Sequence, residues 1–269
     1  MKEARQDEIV RDFYDQDSDR YLRERYPEEA RTCSQYSYLI RKVHVLRMLS
    51  LSAKGTGLLL DIGCGPGVYT KDLLELGWKV TGMDLSRHMI REAQAASARA
   101  VSANRAIFAT GNVTRLPFRS SSFDCVLCIG VISYVDDIHV ALSEISRVLR
   151  PSGTAIIQIS NRASLFELGV RLRRTISRML PGSRNTPRSL REQIHLQAYH
   201  PVALQAACRR AGLELSGDRY YDFSMPFISG YIPGPALWLA RRLEALNDAK
   251  PFAWLGAGYL LVVHRTRQE

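Results

Sequence analysis

The chain has 269 residues, 46% hydrophobic and 24% charged, which is the balance of a globular protein with room for one domain and a cap. No run of 18 uncharged apolar residues suggests a membrane-spanning helix, and the densely charged start, MKEARQDEIVRDFYDQDSDR, lacks the apolar centre of a secretory signal. Five scattered cysteines argue for reduced thiols in a cytoplasmic setting, and a formal net charge of +10 leaves nucleic acid, anionic lipid and anionic small molecules open as partners.

Residues 1–52 read as helical, with a charged, tyrosine-bearing segment followed by apolar residues at helical spacing. A regular alternation follows. Strands are expected at 58–63, 78–85, 106–112, 123–130 and 154–160, with helices at 67–76, 86–101 and 136–150 between them. The tail adds a helix at 202–212 and two strand candidates, LELSGDRYYDF and WLGAGYLLVVHR. Strands alternating with helices imply right-handed βαβ units. The fold class is therefore α/β, a doubly wound, Rossmann-like and mostly parallel sheet with an N-terminal helical lid. The lid spans 1–52 and the sheet domain 53–269, with insertions at about 162–194 and 226–252 that are longer than ordinary α/β connections. Cys125 and Cys128 form C-x-x-C inside the fourth strand, where alternation puts them on opposite faces. Buried small hydrophobes are favoured there over a metal site.

The first strand runs into Asp61-Ile62-Gly63-Cys64-Gly65-Pro66-Gly67. Glycines let a backbone turn tightly and approach a ligand, and the N–H groups of a following helix favour an anionic or polar one. The second strand ends at Asp84, 17 residues after Gly67, where a carboxylate can accept from both ribose hydroxyls. The spacing is G-x-G-x-G, not the G-x-G-x-x-G of a pyrophosphate loop.

DIGCGPG, GMDLS, GNVTRLPF, FDCVLCIGVISYVDD and ALSEISRVLRPSG, in this order over about residues 55–160, resemble the class I S-adenosylmethionine (SAM)-dependent methyltransferases. The resemblance implies S-adenosyl-L-methionine as cofactor and S-adenosyl-L-homocysteine as product. It implies that Asp61 orders the loop and the methionine ammonium, and that Gly63 and Gly65 pass the methionine part, with Cys64 and Gly67 in the same loop. Asp84 matches the ribose acid, Leu85 the residue beside adenine with Met89 nearby, Asn112 and Val113 the adenine pair, and Ile129 and Gly130 the strand end under the sulfonium. The family often has Asp where Asn112 stands, and an Asn oxygen would still accept from the adenine amine. A turn residue after Gly111 is the plainer reading of Asn112.

FYDQDSDRYLRERY resembles the lid of small-molecule members, and Tyr14 and Tyr21, seven apart, share a helical face that could cover the methionine end. Arg41 could pair with the methionine carboxylate. The plainer readings are a packed aromatic pair and an exposed arginine. The N-P-P-Y or D-P-P-Y motif of many amide- and ring-amine methylases is absent after the fourth strand, where Ile129-Gly130-Val131-Ile132-Ser133-Tyr134 stands. For catalysis, the candidates are His195 and His200 before the 202–212 helix and Tyr134 as an acceptor-orienting hydroxyl. Solvated or packed histidines, and no base at all, stand beside them. His44 and His139 read as surface residues.

In 164–180, Leu165, Leu168, Leu172, Ile176 and Met179 share one helical face, opposite Arg171, Arg174 and Arg178. Such a helix suits an anionic membrane surface, or a cap over the acceptor pocket with a solvated basic face. A SAM-dependent methyltransferase acting on a small, apolar or lipid-like acceptor, at oxygen more than nitrogen, is the expected function. An RNA methyltransferase, favoured only by net charge, and a non-catalytic SAM-binding module are the alternatives. Nothing in the sequence sets the oligomeric state.

Overall fold

The computed structural model describes residues 2–53, 56–171, 194–224, 232–245 and 250–266. Two helices, α1 (Lys2–Arg25) and α2 (Cys33–Ser52), precede β1 (Gly57–Ile62). Then come α3 (Thr70–Glu75), β2 (Trp78–Asp84), α4 (Arg87–Ala96), α5 (Ala98–Ser102), β3 (Ala106–Thr110), β4 (Phe123–Cys128), α6 (Ile138–Val148) and β5 (Leu149–Ser160). The tail supplies α7 (Pro201–Arg210), β6 (Leu213–Tyr221), α8 (Pro233–Ala245) and β7 (Gly258–Arg265).

The seven strands form one sheet in the order β3-β2-β1-β4-β5-β7-β6. β1 to β5 are mutually parallel, and β7 enters antiparallel between β5 and β6. The central strands read as near-continuous apolar runs because both faces are covered. On one face Leu60, Ile62, Val126 and Cys128 pack with Leu142 and Ile145 of α6 and Leu204 of α7. On the other, Leu59, Cys125 and Leu127 pack with Val45 and Leu49 of α2 and Leu73 of α3. Cys125 and Cys128 thus lie on opposite faces, and all five cysteines are buried free thiols. Among the described residues, no cluster of His, Cys, Asp or Glu has the arrangement of a metal site.

The helix starts follow local chemistry. Ser86 caps α4, its hydroxyl accepting from Met89 N at 3.0 Å, and Asp137 caps α6 by accepting from His139 N at 2.8 Å. The stretch expected as one helix over 86–101 is broken at Ser97 into α4 and α5. Pro151-Ser152-Gly153 lies inside β5, where the β4–β5 register shifts and Ser152 takes φ +63°. Of the 1–52 stretch, α1 lies over the sheet's C-terminal edge, and α2 packs on the sheet through Val45 and Leu49 while its Tyr38 and Arg41 reach that same edge.

The two insertions differ. In the first, residues 165–171 are helical, with Leu168 exposed; Leu172, Arg174, Ile176, Arg178 and Met179 lie outside the described residues. In the second, α8 packs Ala236 and Leu237 against Cys33 and Tyr36 at the start of α2. His44 is not a surface residue: it is buried, its Nε2 2.8 Å from Glu244 Oε1 of α8. No described helix is long and apolar enough to cross a membrane.

Candidate functional site

In a doubly wound sheet, ligands collect outside the carboxyl ends of the strands where the strand order reverses. Here that point lies between β1 and β4. A cavity of about 300 Å³ opens there, roofed by α1.

Its floor is the loop after β1. Gly63 and Gly65 line the cavity with φ of +69° and +55°, values that a side chain other than glycine's strains to adopt. Gly63 N and Cys64 N donate to Met83 O at 2.7 and 3.1 Å, which fastens the loop to the end of β2. Gly65 N donates to Asp84 Oδ2 at 2.9 Å, and Ser86 N to Asp84 Oδ1 at 2.9 Å. The acid at the end of β2 therefore holds the loop in place while facing the cavity, with lone pairs left for ligand hydroxyls. Gly65 N is thus taken by Asp84 and is not free to meet a ligand. The next helix starts only at Thr70.

Asp61 lies beneath the loop, 1% exposed. Its Oδ2 has no hydrogen-bond partner. Burial, reinforced by nearby Asp84, pushes its carboxyl up to about 8. Burial also raises Asp84, though the amides of Ser86 and Gly65 pull against the rise. A buried acid with an orphaned oxygen and a half-buried one facing the cavity, beside a glycine loop, fit a ligand that brings hydroxyls and a positive charge, as SAM does. Cys64 is turned away, its thiol donating to Gly65 O, and Gly67 packs near Ala93 of α4; neither lines the cavity.

Leu85 and Met89 after β2, and Gly111, Asn112 and Val113 after β3, line one end of the cavity. Asn112 sits in a turn closed by Arg115 N donating to its carbonyl at 3.1 Å. Its side-chain oxygen accepts from Thr114 N and Thr114 Oγ1, both at 3.0 Å, so the oxygen expected to meet an amine is occupied.

Ile129 and Gly130 at the end of β4 line the middle of the cavity. Beyond them lies a cluster of phenols and guanidiniums. Tyr14 and Tyr134 hydroxyls are 2.5 Å apart, and the Tyr14 and Tyr21 rings are 6.1 Å apart. Burial first, then the neighbouring tyrosines, hold the Tyr14 and Tyr21 phenols well above their ordinary 10. Arg41 is half-buried among them rather than exposed. It donates to Tyr26 Oη at 2.7 Å and lies 4.8 Å from the centre of the Tyr38 ring. Its Nε has no partner, and among the described residues no carboxylate pairs with it. Arg25, which sequence reasoning passed over, stacks on Tyr21 at 4.2 Å and pairs with Asp17. Gln158 and Tyr38 also line this end and were passed over, because neither belongs to a motif.

The two histidines expected at the acceptor side are elsewhere. His200 is exposed and caps α7, its Nδ1 accepting from Val202 N at 3.4 Å. His195 is exposed, and its carbonyl takes Gln6 Nε2 at 3.2 Å. Ile194 and Leu196, on either side of His195, line the cavity instead.

α1 is clasped over this site by its own acids. Asp15 accepts from Ser86 Oγ and from His88 N at 3.4 Å, with the His88 ring 3.2 Å away. Asp7 accepts from Asn112 Nδ2 at 2.6 Å.

A methyltransferase-domain family model matches residues 60–157. The chain is 36% identical over 108 residues to the O-methyltransferase resE of Aspergillus sclerotiorum, covering 40% of this chain and 41% of that protein. It is 33% identical over 110 residues to a malonyl-[acyl-carrier protein] O-methyltransferase of Erwinia billingiae, covering 41% of each. These matches span about two-fifths of those relatives. The fold is similar over 96% of this chain and 99% of the other to that of magnesium protoporphyrin IX methyltransferase from Synechocystis, solved with bound S-adenosylhomocysteine. The TM-score is 0.65 at 16% identity.

Proposed function

We propose that this chain is a class I SAM-dependent methyltransferase and that it methylates an oxygen of a small, largely apolar acceptor held at the phenol end of the cavity. The observation that carries the reading is the half-buried Tyr14–Tyr134 hydroxyl pair, in a cavity lining that also contains Phe13, Val131, Val135 and Leu196. SAM, when bound, supplies an electrophilic methyl group on a sulfonium; the chain's own residues must bind, orient and keep out water.

When one phenol donates to the other, one O–H remains to donate elsewhere. That remaining proton suits an oxygen acceptor, whose spare lone pair can accept it while another attacks. Phenols held well above 10 stay protonated near neutral pH, so they orient and do not act as bases. An acceptor oxygen acidic enough to ionise unaided, a carboxyl, phenol or enol, therefore fits better than an aliphatic alcohol. Arg41 is placed to meet a carboxylate, and the methionine carboxylate of the cofactor is the partner proposed for it. Asp84 holds the loop and the ribose, and Asp61 lies where it can offset the cofactor's positive charge. The relatives' names, an O-methyltransferase and a malonyl-[acyl-carrier protein] O-methyltransferase, support the choice of oxygen.

The test is transfer of labelled methyl from SAM to a panel of carboxylic acids, phenols, aliphatic alcohols and amines of similar apolar bulk, with mass spectrometry locating the methyl. Methyl esters or aryl ethers are expected. Tyr134→Phe should lower kcat about tenfold while leaving S-adenosylhomocysteine affinity within twofold. Transfer only to nitrogen, or an unchanged kcat in Tyr134→Phe, would overturn the reading.

A further inference from the structure

We propose that Asp7, from the lid helix α1, is the carboxylate that recognises the exocyclic amine of the cofactor's adenine, so that base recognition and lid closure are one event. This rests on the reading of the cavity as a SAM site. Asp7 and Asn112 touch each other and line the cavity together with the apolar side chains of Leu85 and Val113.

The geometry at Asn112 dictates the exchange of roles. Thr114 N is a donor and can bond only to an oxygen, so it fixes which way the Asn112 amide points. Thr114 Oγ1 takes the second position on that oxygen. The Asn112 side chain is left presenting its NH₂ group, which cannot accept from an amine. That group instead donates to Asp7 Oδ2 at 2.6 Å. A carboxylate has about four acceptor positions, so Asp7 can take the Asn112 amide and an amine from the ligand together. A residue 105 positions away in sequence thereby restores an acid where residue 112 lacks one. The adenine amine is the ligand group that needs such an acceptor, and a 6-oxo purine would present an oxygen to it instead.

The test is calorimetric binding of S-adenosylhomocysteine and of its 6-oxo analogue, S-inosylhomocysteine, to the full chain. Wild type should prefer the adenine form by about tenfold or more. Asp7→Ala should lose that preference through weaker binding of the adenine form, with the analogue bound as well as before or better. In the Asp7→Ala background, Asn112→Asp should bring the preference back, which a variant with a damaged fold could not show. An unchanged preference in Asp7→Ala, or an equal loss for both ligands, would overturn the proposal and leave Asp7 as a lid clasp only. Wild type binding neither nucleoside would overturn the proposal together with its premise, whereas tight adenine binding that ignores Asp7 removes the proposal alone.

Discussion

At the scale of single residues, Asp61 is the most telling group. A carboxyl whose folded value is about 8, against an ordinary 3.8, holds its proton in the folded state where the unfolded chain has lost it. Its contribution to stability is therefore complete below the ordinary value and is lost as pH rises toward 8. Asp84, raised in the same direction, adds to the trend. Without ligand, the melting temperature should fall between about pH 5 and about pH 8, and Asp61→Asn should flatten the fall. S-adenosylhomocysteine, whose ammonium favours the ionised acid, should bind more tightly as pH rises through the same window. Scanning calorimetry at several pH values checks the first point, and titration calorimetry the second. A wild-type curve as flat as that of Asp61→Asn would mean that Asp61 titrates normally.

At the scale of elements, α1 is held by the polar contacts of Asp7 and Asp15 and by the aromatic contacts of Tyr14 and Tyr21. Burial raises the Asp15 carboxyl but is outweighed by the Ser86 hydroxyl and His88, so its value ends below the ordinary one and the clasp operates at neutral pH. The same Ser86 hydroxyl caps α4, so the clasp and the helix start share one atom. Asp15→Ala should remove the clasp and leave the cap. Hydrogen exchange of α1 should then speed up by about tenfold while the β1 and β4 amides are unaffected. Equal speeding in α1 and the sheet would instead mean that α1 is part of the core. This lid was legible in the sequence only in part. Tyr14 and Tyr21 stand seven apart and could be placed on one face, but nothing local marks Asp7 or Asp15 as clasps. Acids on an exposed helix face look alike until the surface they meet is known.

At the scale of the whole molecule, the N-terminal helices and the C-terminal insertion are tied together by one buried carboxylate. Glu244 of α8 takes His44 of α2 at 2.8 Å and the amide of Asp222, just after β6, at 2.8 Å. Replacing Glu244 by Ala leaves both partners buried and unpaired, which should cost about 3 kcal/mol. A urea titration should show a lower midpoint with an unchanged slope. A midpoint shift worth under about 0.5 kcal/mol would mean that water replaces the carboxylate and that the tie is not structural.

The sequence by itself determined the order of strands and helices, the apolar strands buried on both faces, and the glycine loop with its acid at the end of β2. These are local properties: periodicity, backbone freedom and short spacing are written in neighbouring residues. Only the tertiary structure decided that Asn112 turns its amide outward to Asp7, that Arg41 packs among tyrosines, and that His44 faces Glu244 200 residues away. It also decided that His195 and His200 face away from the cavity while Ile194 and Leu196 line it. Which side of a chain meets a ligand depends on how distant elements pack, and adjacent residues on an irregular segment point in opposite directions with no periodicity to tell them apart.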